Sequence, residues 1–354
     1  MTEHTRYTMN NDVLFARTDG TIEDNLTALR SLLNKMKVPY QRGDSIAVKL
    51  HWGERGNTSF LSPHYAREIV QWLTRKNVKP FIFDTTVLYS GGRRTGADSI
   101  ETAKEHGYTE AFLGCPIVIG DGMDGRDVID IEAGVKHFKT VQVAALVDKV
   151  DGFFIFSHFK GHLEAGFGGA IKNISMGFAS RAQKQRMHAD AHPVLHEGKC
   201  TRCGICVDVC PTGAAAFAND DAYPEYDLDR CIGCAQCIAL CPEMALKIFW
   251  STDITIFQEK LVETAAAVWK RIKEKSVLVN SLLNITAECD CLPGKNPTIA
   301  EDLGFLGAYH PVVIDKESIK KIGEDPFNRA HPGIPWVRQF TYADEIEFVT
   351  DTVG

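Results

Sequence analysis

Eight of the eleven cysteines in this chain fall into two runs of one spacing, Cys200-x2-Cys203-x2-Cys206-x3-Cys210-Pro211 and Cys231-x2-Cys234-x2-Cys237-x3-Cys241-Pro242. Thiolates so placed bind iron–sulfur cubanes. Three from one run close around a cluster, and the fourth, just before a proline, reaches the cluster of the other run. The expected ligand sets are therefore crossed. Cys200, Cys203, Cys206 and Cys241 hold one 4Fe–4S cluster, and Cys231, Cys234, Cys237 and Cys210 hold the other. A zinc site takes one closed set of four ligands rather than two interlocked sets, and a disulfide framework does not ask for this register, so both are set aside. The implied chemistry is the transfer of low-potential electrons, one at a time.

A second concentration of reactive side chains runs from Ser157 to Asn173, Ser-His-Phe-Lys-Gly-His-Leu-Glu-Ala-Gly-Phe-Gly-Gly-Ala-Ile-Lys-Asn. It follows an apolar stretch ending at Phe156 and so lies beyond the carboxyl end of a strand, the usual ligand edge of an open α/β sheet. Loop glycines are most often turn chemistry, yet Gly161, Gly166, Gly168 and Gly169 stand among two histidines and two lysines, and that density points to a site. His158, His162 and Lys172 are the candidate catalytic groups, since imidazoles move protons near neutral pH and an amine holds an anion or a covalent adduct. Gly168, Gly169 and Lys172, with Arg93 and Arg94 from the turn Tyr89-Ser90-Gly91-Gly92-Arg93-Arg94, are candidate contacts to a small anionic substrate or a cofactor. His188, Cys289 and Cys291 are candidate ligands of an additional metal in the same core, because cysteines two apart on a strand share one face. Cys115, alone before Pro116, reads as a core residue. The histidines, Lys172 and the Cys289/Cys291 pair are expected to meet in one cleft.

The flanking sequence supplies the elements that position these groups. Ile46-Ala47-Val48-Lys49-Leu50 reads as a strand, and Ser62 with Pro63 opens a helix carrying Ala66, Ile69, Val70 and Leu73 on one face. Pro80-Phe81-Ile82-Phe83 is a second strand, followed by a helix over 99–105 that Gly107 closes. Pro116-Ile117-Val118-Ile119 and Gly152-Phe153-Phe154-Ile155-Phe156 are further strands. Beyond the cysteines come a helix over 257–275, the strand Ser276-Val277-Leu278-Val279-Asn280, a strand at Val312-Val313-Ile314 and a helix over 316–322. Such alternation predicts an open α/β core. The cysteine runs then form an inserted α+β module over 194–251, with residues 1–193 and 252–354 making the two parts of the core. Apart from the doubled cysteine run, no internal repeat or low-complexity segment is visible.

Composition bounds the partners. The 354 residues are 44% hydrophobic, enough for a sizeable core, and the net charge of −7 with a pI near 6.0 argues against a nucleic-acid partner. Residues 1–7 lack an apolar leader and no stretch has the length of a membrane span, so a cytoplasmic, anaerobic setting is expected. Asp208, Asp220, Asp221, Glu225, Asp227, Asp229 and Glu243 surround the cysteines and predict an acidic face for a redox partner protein. The α/β core is a platform for docking or for a homodimer.

The paired cysteine runs resemble the bacterial two-cluster ferredoxin. Together with the string His158 to Asn173, Met176-Gly177-Phe178-Ala179-Ser180-Arg181, Met187-His188, and Asn284-Ile285-Thr286 to Cys289-Asp290-Cys291, they resemble a ferredoxin-carrying family of anaerobes, the domain of unknown function 362. That likeness runs from about Val48 to Lys320; it implies the core and insert just described and brings no defined reaction. The core is also distantly similar to the lactate racemase family, whose nickel-pincer cofactor is tethered to a lysine with nickel bound by a histidine. There an acid/base histidine precedes the tether by ten positions and the metal ligand follows by sixteen. Here His162 to Lys172 is ten and Lys172 to His188 is sixteen, so the likeness implies those roles for these three residues. That family's second catalytic histidine, in a Gly-x-His-Arg turn, is missing near Arg93 and Arg94.

The expected function is that of an iron–sulfur electron-transfer protein, a ferredoxin-like carrier in anaerobic metabolism. The alternative is an oxidoreductase whose His/Lys/Cys pocket is fed by the clusters, and a racemase-like hydroxy-acid enzyme is a third reading. Neither a Gly-x-Gly-x-x-Gly dinucleotide fingerprint after a first strand nor a flavin signature is visible.

Overall fold

The computed structural model describes residues 13–190, 192–219, 221–250 and 252–348. Residues 1–7, Asp220 and Ser251, on which expectations about a leader, the acidic face and the end of the insert fell, lie outside the described residues.

In chain order the strands are β1 Leu14–Arg17, β2 Ser45–Lys49, β3 Lys79–Asp84, β4 Ile117–Ile119, β5 Val128–Glu132, β6 Thr140–Ala144, β7 Gly152–His158, β8 Lys160–His162, β9 Gly166–Gly168, β10 Ala215–Phe217, β11 Pro224–Tyr226, β12 Ser276–Leu282 and β13 Gly304–Ala308. Seven of them form one sheet in the order β1-β13-β12-β7-β2-β3-β4. The block from β12 to β4 is parallel, and β13 and β1 extend one edge antiparallel. Side chains leave a strand on alternate faces, and here both faces are apolar. Ile46, Val48, Phe154, Phe156, Val277 and Val279 share a core with the helices Ile22–Lys35 and Pro63–Arg75, while Ala47, Phe153, Ile155 and Leu278 share one with the helices Ala170–Phe178 and Ile254–Ile272. The result is a mixed α/β fold in which a largely parallel sheet is covered by helices on both sides, as near-continuous apolar strands require.

Most of the expected elements are present. Ser62 caps the helix Pro63–Arg75 by accepting from the His64 N–H. The helix expected at residue 99 begins at Gly96, because Thr95 caps it through the Asp98 N–H. The helix expected to start at Phe257 starts at Ile254, where Asp253 accepts from the N–H groups of Thr255 and Ile256. Within the sheet one expectation fails. Val312-Val313-Ile314 is the first turn of the helix Pro311–Ile322, since Pro311 suits the first helical position and the His310 side chain accepts from the Val312 N–H. The strand belongs instead to the preceding Gly304–Ala308, whose glycines hid it. Cys115 is a buried core residue, as expected. Among the described residues no helix is long and apolar enough to cross a membrane.

The chain leaves the core after the helix Arg181–His188 and returns at Thr252, whose N–H donates to the His188 carbonyl at 2.8 Å. Between them lie the short helices Ile205–Asp208 and Gln236–Leu240 and the hairpin β10–β11, with a small apolar cluster of Ala189, Ile238 and Leu246. The backbone here repeats as the sequence does. Arg202 and Gly233, Gly204 and Ala235, and Gly213 and Met244 are pairs 31 residues apart, like the cysteines, and all six have φ between 48° and 80°. Non-glycine residues are disfavoured there by roughly 1–2 kcal/mol each. At Arg202 the turn brings the backbone N–H to Cys200 Sγ at 3.4 Å, a contact that suits anionic sulfur.

Gly161 lies where β8 crosses the loop after β12: its N–H donates to the Thr286 carbonyl at 2.7 Å, and a Cβ there would meet the Ala287 carbonyl oxygen at 2.2 Å. Gly161→Ala is expected to destabilise the protein by about 1–3 kcal/mol, read as a lower denaturation midpoint. Gly198→Ala, with nothing within 4 Å of its added Cβ, should leave the midpoint unchanged.

Candidate functional site

The parallel block grows in two directions from β2, through β3 and β4 on one side and through β7 and β12 on the other. Such a switch point opens a crevice outside the carboxyl ends of the strands. Lys49 ends β2, Asp84 ends β3 and His158 ends β7 there, and all three line a cavity of about 460 Å³, a size that suits a small molecule. His162, Lys172, His188, Cys289, Cys291, Arg93, Gly168 and Gly169 line the same cavity. The structure therefore brings together the candidate catalytic, cofactor-binding and extra-metal residues of the core, all except Arg94. The Arg94 guanidinium donates instead to the carbonyls of Leu88 at 2.6 Å and Cys241 at 2.8 Å, tying the cavity wall to the cysteine-rich segment.

The cavity floor is a network of buried charges that sequence reasoning missed. Asp84 lies 2.9 Å from Lys49 and 3.2 Å from Arg93, and Arg93 also meets Glu54 at 3.3 Å. Lys49 donates in addition to Asn173 at 2.9 Å. Burial pushes the Asp84 carboxyl up, but Lys49, His51 and Arg93 outweigh it and hold the group well below the usual carboxylate range. The available signal was a lysine at the end of an otherwise apolar strand and an aspartate at the end of the next.

A second charge cluster fixes the turn after β12. The Asp290 carboxylate accepts from Lys160 Nζ and lies 2.8 Å from His158 Nδ1, while His158 Nε2 faces the carbonyls of Leu283 at 2.9 Å and Asn284 at 3.0 Å. Burial opposes ionisation of Asp290, yet His158 and Lys160 hold its carboxyl well below its ordinary value. Both His158 nitrogens are thus engaged with acceptors, so His158 braces the turn rather than presenting a free acid or base. The Cys289/Cys291 segment is not a strand, contrary to expectation. The Leu292 N–H closes a turn on the Cys289 carbonyl at 3.1 Å, and this turn, not strand alternation, sends both sulfurs into the cavity and Asp290 away from it.

The reactive groups stand above this floor. Lys172 Nζ and the Cys291 N–H each lie 3.4 Å from Cys289 Sγ. A hydrogen bond from the Cys291 thiol, followed by the Lys172 ammonium, holds the Cys289 thiol well below its usual value against burial. Cys291, the donor of that bond, is driven well above it. With the Lys172 ammonium and the Cys291 N–H both against its sulfur, Cys289 is the member of the pair whose environment favours the thiolate. His162 Nδ1 accepts from the N–H groups of Glu164 and Ala165, both at 3.1 Å. Burial and then Lys172 keep His162 neutral by holding it well below its ordinary value, which leaves the proton on Nε2. The Phe257 ring is nearly parallel to both His162, at 6.5 Å, and His188, at 4.8 Å. His188 Nδ1 is 3.3 Å from a Glu164 carboxylate oxygen but out of line for a hydrogen bond, and Trp250 packs edge-on against its ring.

Ligand-type atoms of His162, Cys289 and Cys291 lie within 4.8 Å of one another, a donor set that can hold a metal ion. His188, the histidine expected with these cysteines, lines the same cavity and stacks on Phe257 at 4.8 Å. In the cysteine-rich segment, Cys200, Cys203, Cys206 and Cys241 line one recess, and Cys210, Cys231, Cys234 and Cys237 line another. Sulfur is the acceptor in both halves of the first recess, where the Arg202 N–H lies 3.4 Å from Cys200 Sγ and the Ala245 N–H 3.3 Å from Cys241 Sγ. The Tyr226 hydroxyl, from a side chain that lines both recesses, is buried without a nitrogen or oxygen partner beside Cys206.

The family described as Domain of unknown function (DUF362) matches residues 46–320. The chain belongs to this family. No curated protein matches the sequence. Among solved structures, this DUF362 chain is similar to a protein from Thermotoga maritima, at 12% identity and a TM-score of 0.44, over 94% of this chain and 61% of that one. It is also similar to the lactate racemase apoprotein from Thermoanaerobacterium thermosaccharolyticum, at 12% identity and a TM-score of 0.38, over 73% of this chain and 48% of that one. The chain thus spans less than two thirds of the length of either protein. Likenesses this distant assign no role to the cavity.

Asp84 and Asp290 both have folded values below their ordinary 3.8, so the stability they contribute is complete above that pH and is lost as pH falls through the depressed values. Asp84→Asn leaves Lys49 and Arg93 buried without their shared carboxylate. It is expected to lose about 3–5 kcal/mol at pH 7 and to show a shallower acid limb when denaturation midpoints are measured against pH.

Proposed function

We propose that the chain is an iron–sulfur oxidoreductase, in which the cysteine-rich segment carries two 4Fe–4S clusters and the core cavity is where electrons meet substrate. One observation carries this reading: the eight cysteines divide four and four in the crossed order, on a segment whose flanking residues His188 and Trp250 are walls of the cavity. Such clusters, when bound, supply one-electron transfer at potentials set by burial and by hydrogen bonds to sulfur.

The chain's own residues have separable tasks in this reading. The Arg202 and Ala245 amides steady thiolate sulfur, and Arg94 holds the Cys241 backbone against the cavity wall. Within the cavity, Lys49, Arg93 and Lys160 are matched by Asp84, Glu54 and Asp290, while Lys172 and Lys184 add positive charge along the walls. Burial pushes Lys184 down to about 8, which leaves it mostly charged at neutral pH. A small anionic substrate suits that lining. His162 presents an Nε2 proton, and Cys289 a thiolate held by Lys172.

A plain electron carrier is the second reading, favoured by the exposure of Asp208, Asp221, Glu225, Asp227, Asp229 and Glu243 around the cysteines. Such a face steers a basic docking patch on a redox partner protein. An anaerobic cytosol is the setting in which this chemistry survives.

Protein purified without oxygen should contain about eight iron and eight sulfide per chain. Cys210→Ser should abolish the electron paramagnetic resonance signal of one reduced cluster, and Cys241→Ser that of the other. Zinc in place of iron, or a single cluster, sinks the reading. Lys172→Met separates the two versions, with iron content unchanged in both. A carrier still passes electrons to its partner, at a rate that falls with ionic strength, whereas an oxidoreductase loses its reaction with substrate.

A further inference from the structure

We infer that Cys289 and Cys291 form a redox-active pair that alternates between thiolate/thiol and an intramolecular disulfide while reducing a small anionic disulfide admitted to the cavity. The two sulfurs share one end of a 460 Å³ cavity with His162 and sit in a closed turn, where neighbouring Cα atoms lie in the range a disulfide spans. Their surroundings are unequal. Lys172 Nζ and the Cys291 N–H both approach Cys289 Sγ, which marks Cys289 as the attacking sulfur and leaves Cys291 to resolve. Asp290 between them is anchored by His158 and Lys160, so the turn keeps its place in either oxidation state. Lys172 and Lys184 on the walls select for negative charge on the incoming molecule.

The same three side chains suit a cation less well. Lys172 already places positive charge beside Cys289, and His162 spends Nδ1 on two backbone amides, leaving Nε2 with a proton that a metal would have to displace. A nucleophile needs neither change.

The step balances as follows. The Cys289 thiolate attacks a sulfur of RSSR, the Cys289–SR bond forms as the S–S bond breaks, and RS⁻ leaves to take a proton from solvent. The Cys291 thiol, giving up its proton, attacks Cys289 sulfur and releases the second RS⁻. The substrate has gained two electrons and the pair has lost two. Two single electrons and one proton then restore Cys289 thiolate and Cys291 thiol. Only this return step rests on the iron–sulfur reading, because a low-potential one-electron donor must supply it.

The test is peptide mapping of the full chain, purified without oxygen and mixed with dithiodipropionate, a small dianionic disulfide, then acid-quenched and alkylated. The peptide carrying Cys289 and Cys291 should be recovered as an internal disulfide and should become doubly alkylated again after dithionite. Cystamine, of similar size and opposite charge, should react about tenfold more slowly, the low end of electrostatic selection by a charged cleft. Cys291→Ser should trap dithiodipropionate as a mixed disulfide on residue 289, and Cys289→Ser should trap none. Lys172→Met should slow the first step with dithiodipropionate about tenfold, because the cation that receives the anion beside Cys289 Sγ is gone, while Lys172→Arg keeps the rate. Full alkylation of both cysteines after disulfide treatment overturns the proposal. So does a divalent metal bound one per chain and lost in Cys289→Ser. Iron content read on the same samples separates the two claims: iron with no disulfide defeats the pair alone, and a disulfide reversed by dithiothreitol in iron-free protein defeats only the iron–sulfur reading.

Discussion

Buried charge at the carboxyl ends of β2 and β3 governs the rest of this structure. Lys49 and Arg93 are almost wholly excluded from water, and neither is tolerable there without Asp84 and Glu54 beside it. The register of β2 and β3 sets Lys49 opposite Phe83, which brings its ammonium within 2.9 Å of Asp84 at the edge that faces the cavity. Asn173 completes the shell of Lys49, so the helix that carries Lys172 is held over the same spot. A cavity with this floor cannot collapse into apolar packing, because collapse would separate the ions.

A second compensated group, Asp290 with His158 and Lys160, extends the argument to the turn that bears the two cysteines. The division of labour is clear in the partners each side chain has. His158 and Lys160 spend their polar atoms on structure. Lys172, His162 and Cys289 line the cavity, and the Lys172 ammonium beside the Cys289 sulfur favours its thiolate. Asp315 performs a similar service from behind, accepting from the Ala170 and Ile171 N–H groups at 2.8 Å each and so anchoring the first turn of the Lys172 helix.

Much of this was legible in the sequence. Cysteine spacing and the histidine- and lysine-rich loop beyond Phe156 named most of the groups that now line the cavity and the two recesses. The order of strands and helices around β2, β3, β7 and β12 followed from apolar runs and caps. What escaped had physical reasons. Lys49, Asp84 and Glu54 belong to no motif, and their significance arises only when the parallel sheet sets them side by side. Gly304–Ala308 lacked the β-branched residues that advertise a strand, while Val312-Val313-Ile314 had them and yielded to Pro311 and the His310 cap. Arg93 and Arg94 are adjacent and alike, and only the path of the turn sends one into the cavity and the other to Cys241. His162 and His188 differ in the same way, since the first stands with the two sulfurs and the second beside Glu164 and Trp250.

The cysteine-rich segment and the cavity meet at His188, Trp250 and Arg94, and the account holds that they act as one device, with single electrons entering through the segment and leaving on substrate in the cavity. Rapid mixing under nitrogen tests this most directly. Protein reduced with one equivalent of dithionite per expected cluster is mixed with dithiodipropionate, and the visible absorbance of the iron–sulfur chromophore is followed. The account predicts that the bleached absorbance returns in the wild-type chain and stays bleached in Cys289→Ser with full iron content. Absorbance that never returns, or that returns equally fast in both proteins, contradicts it.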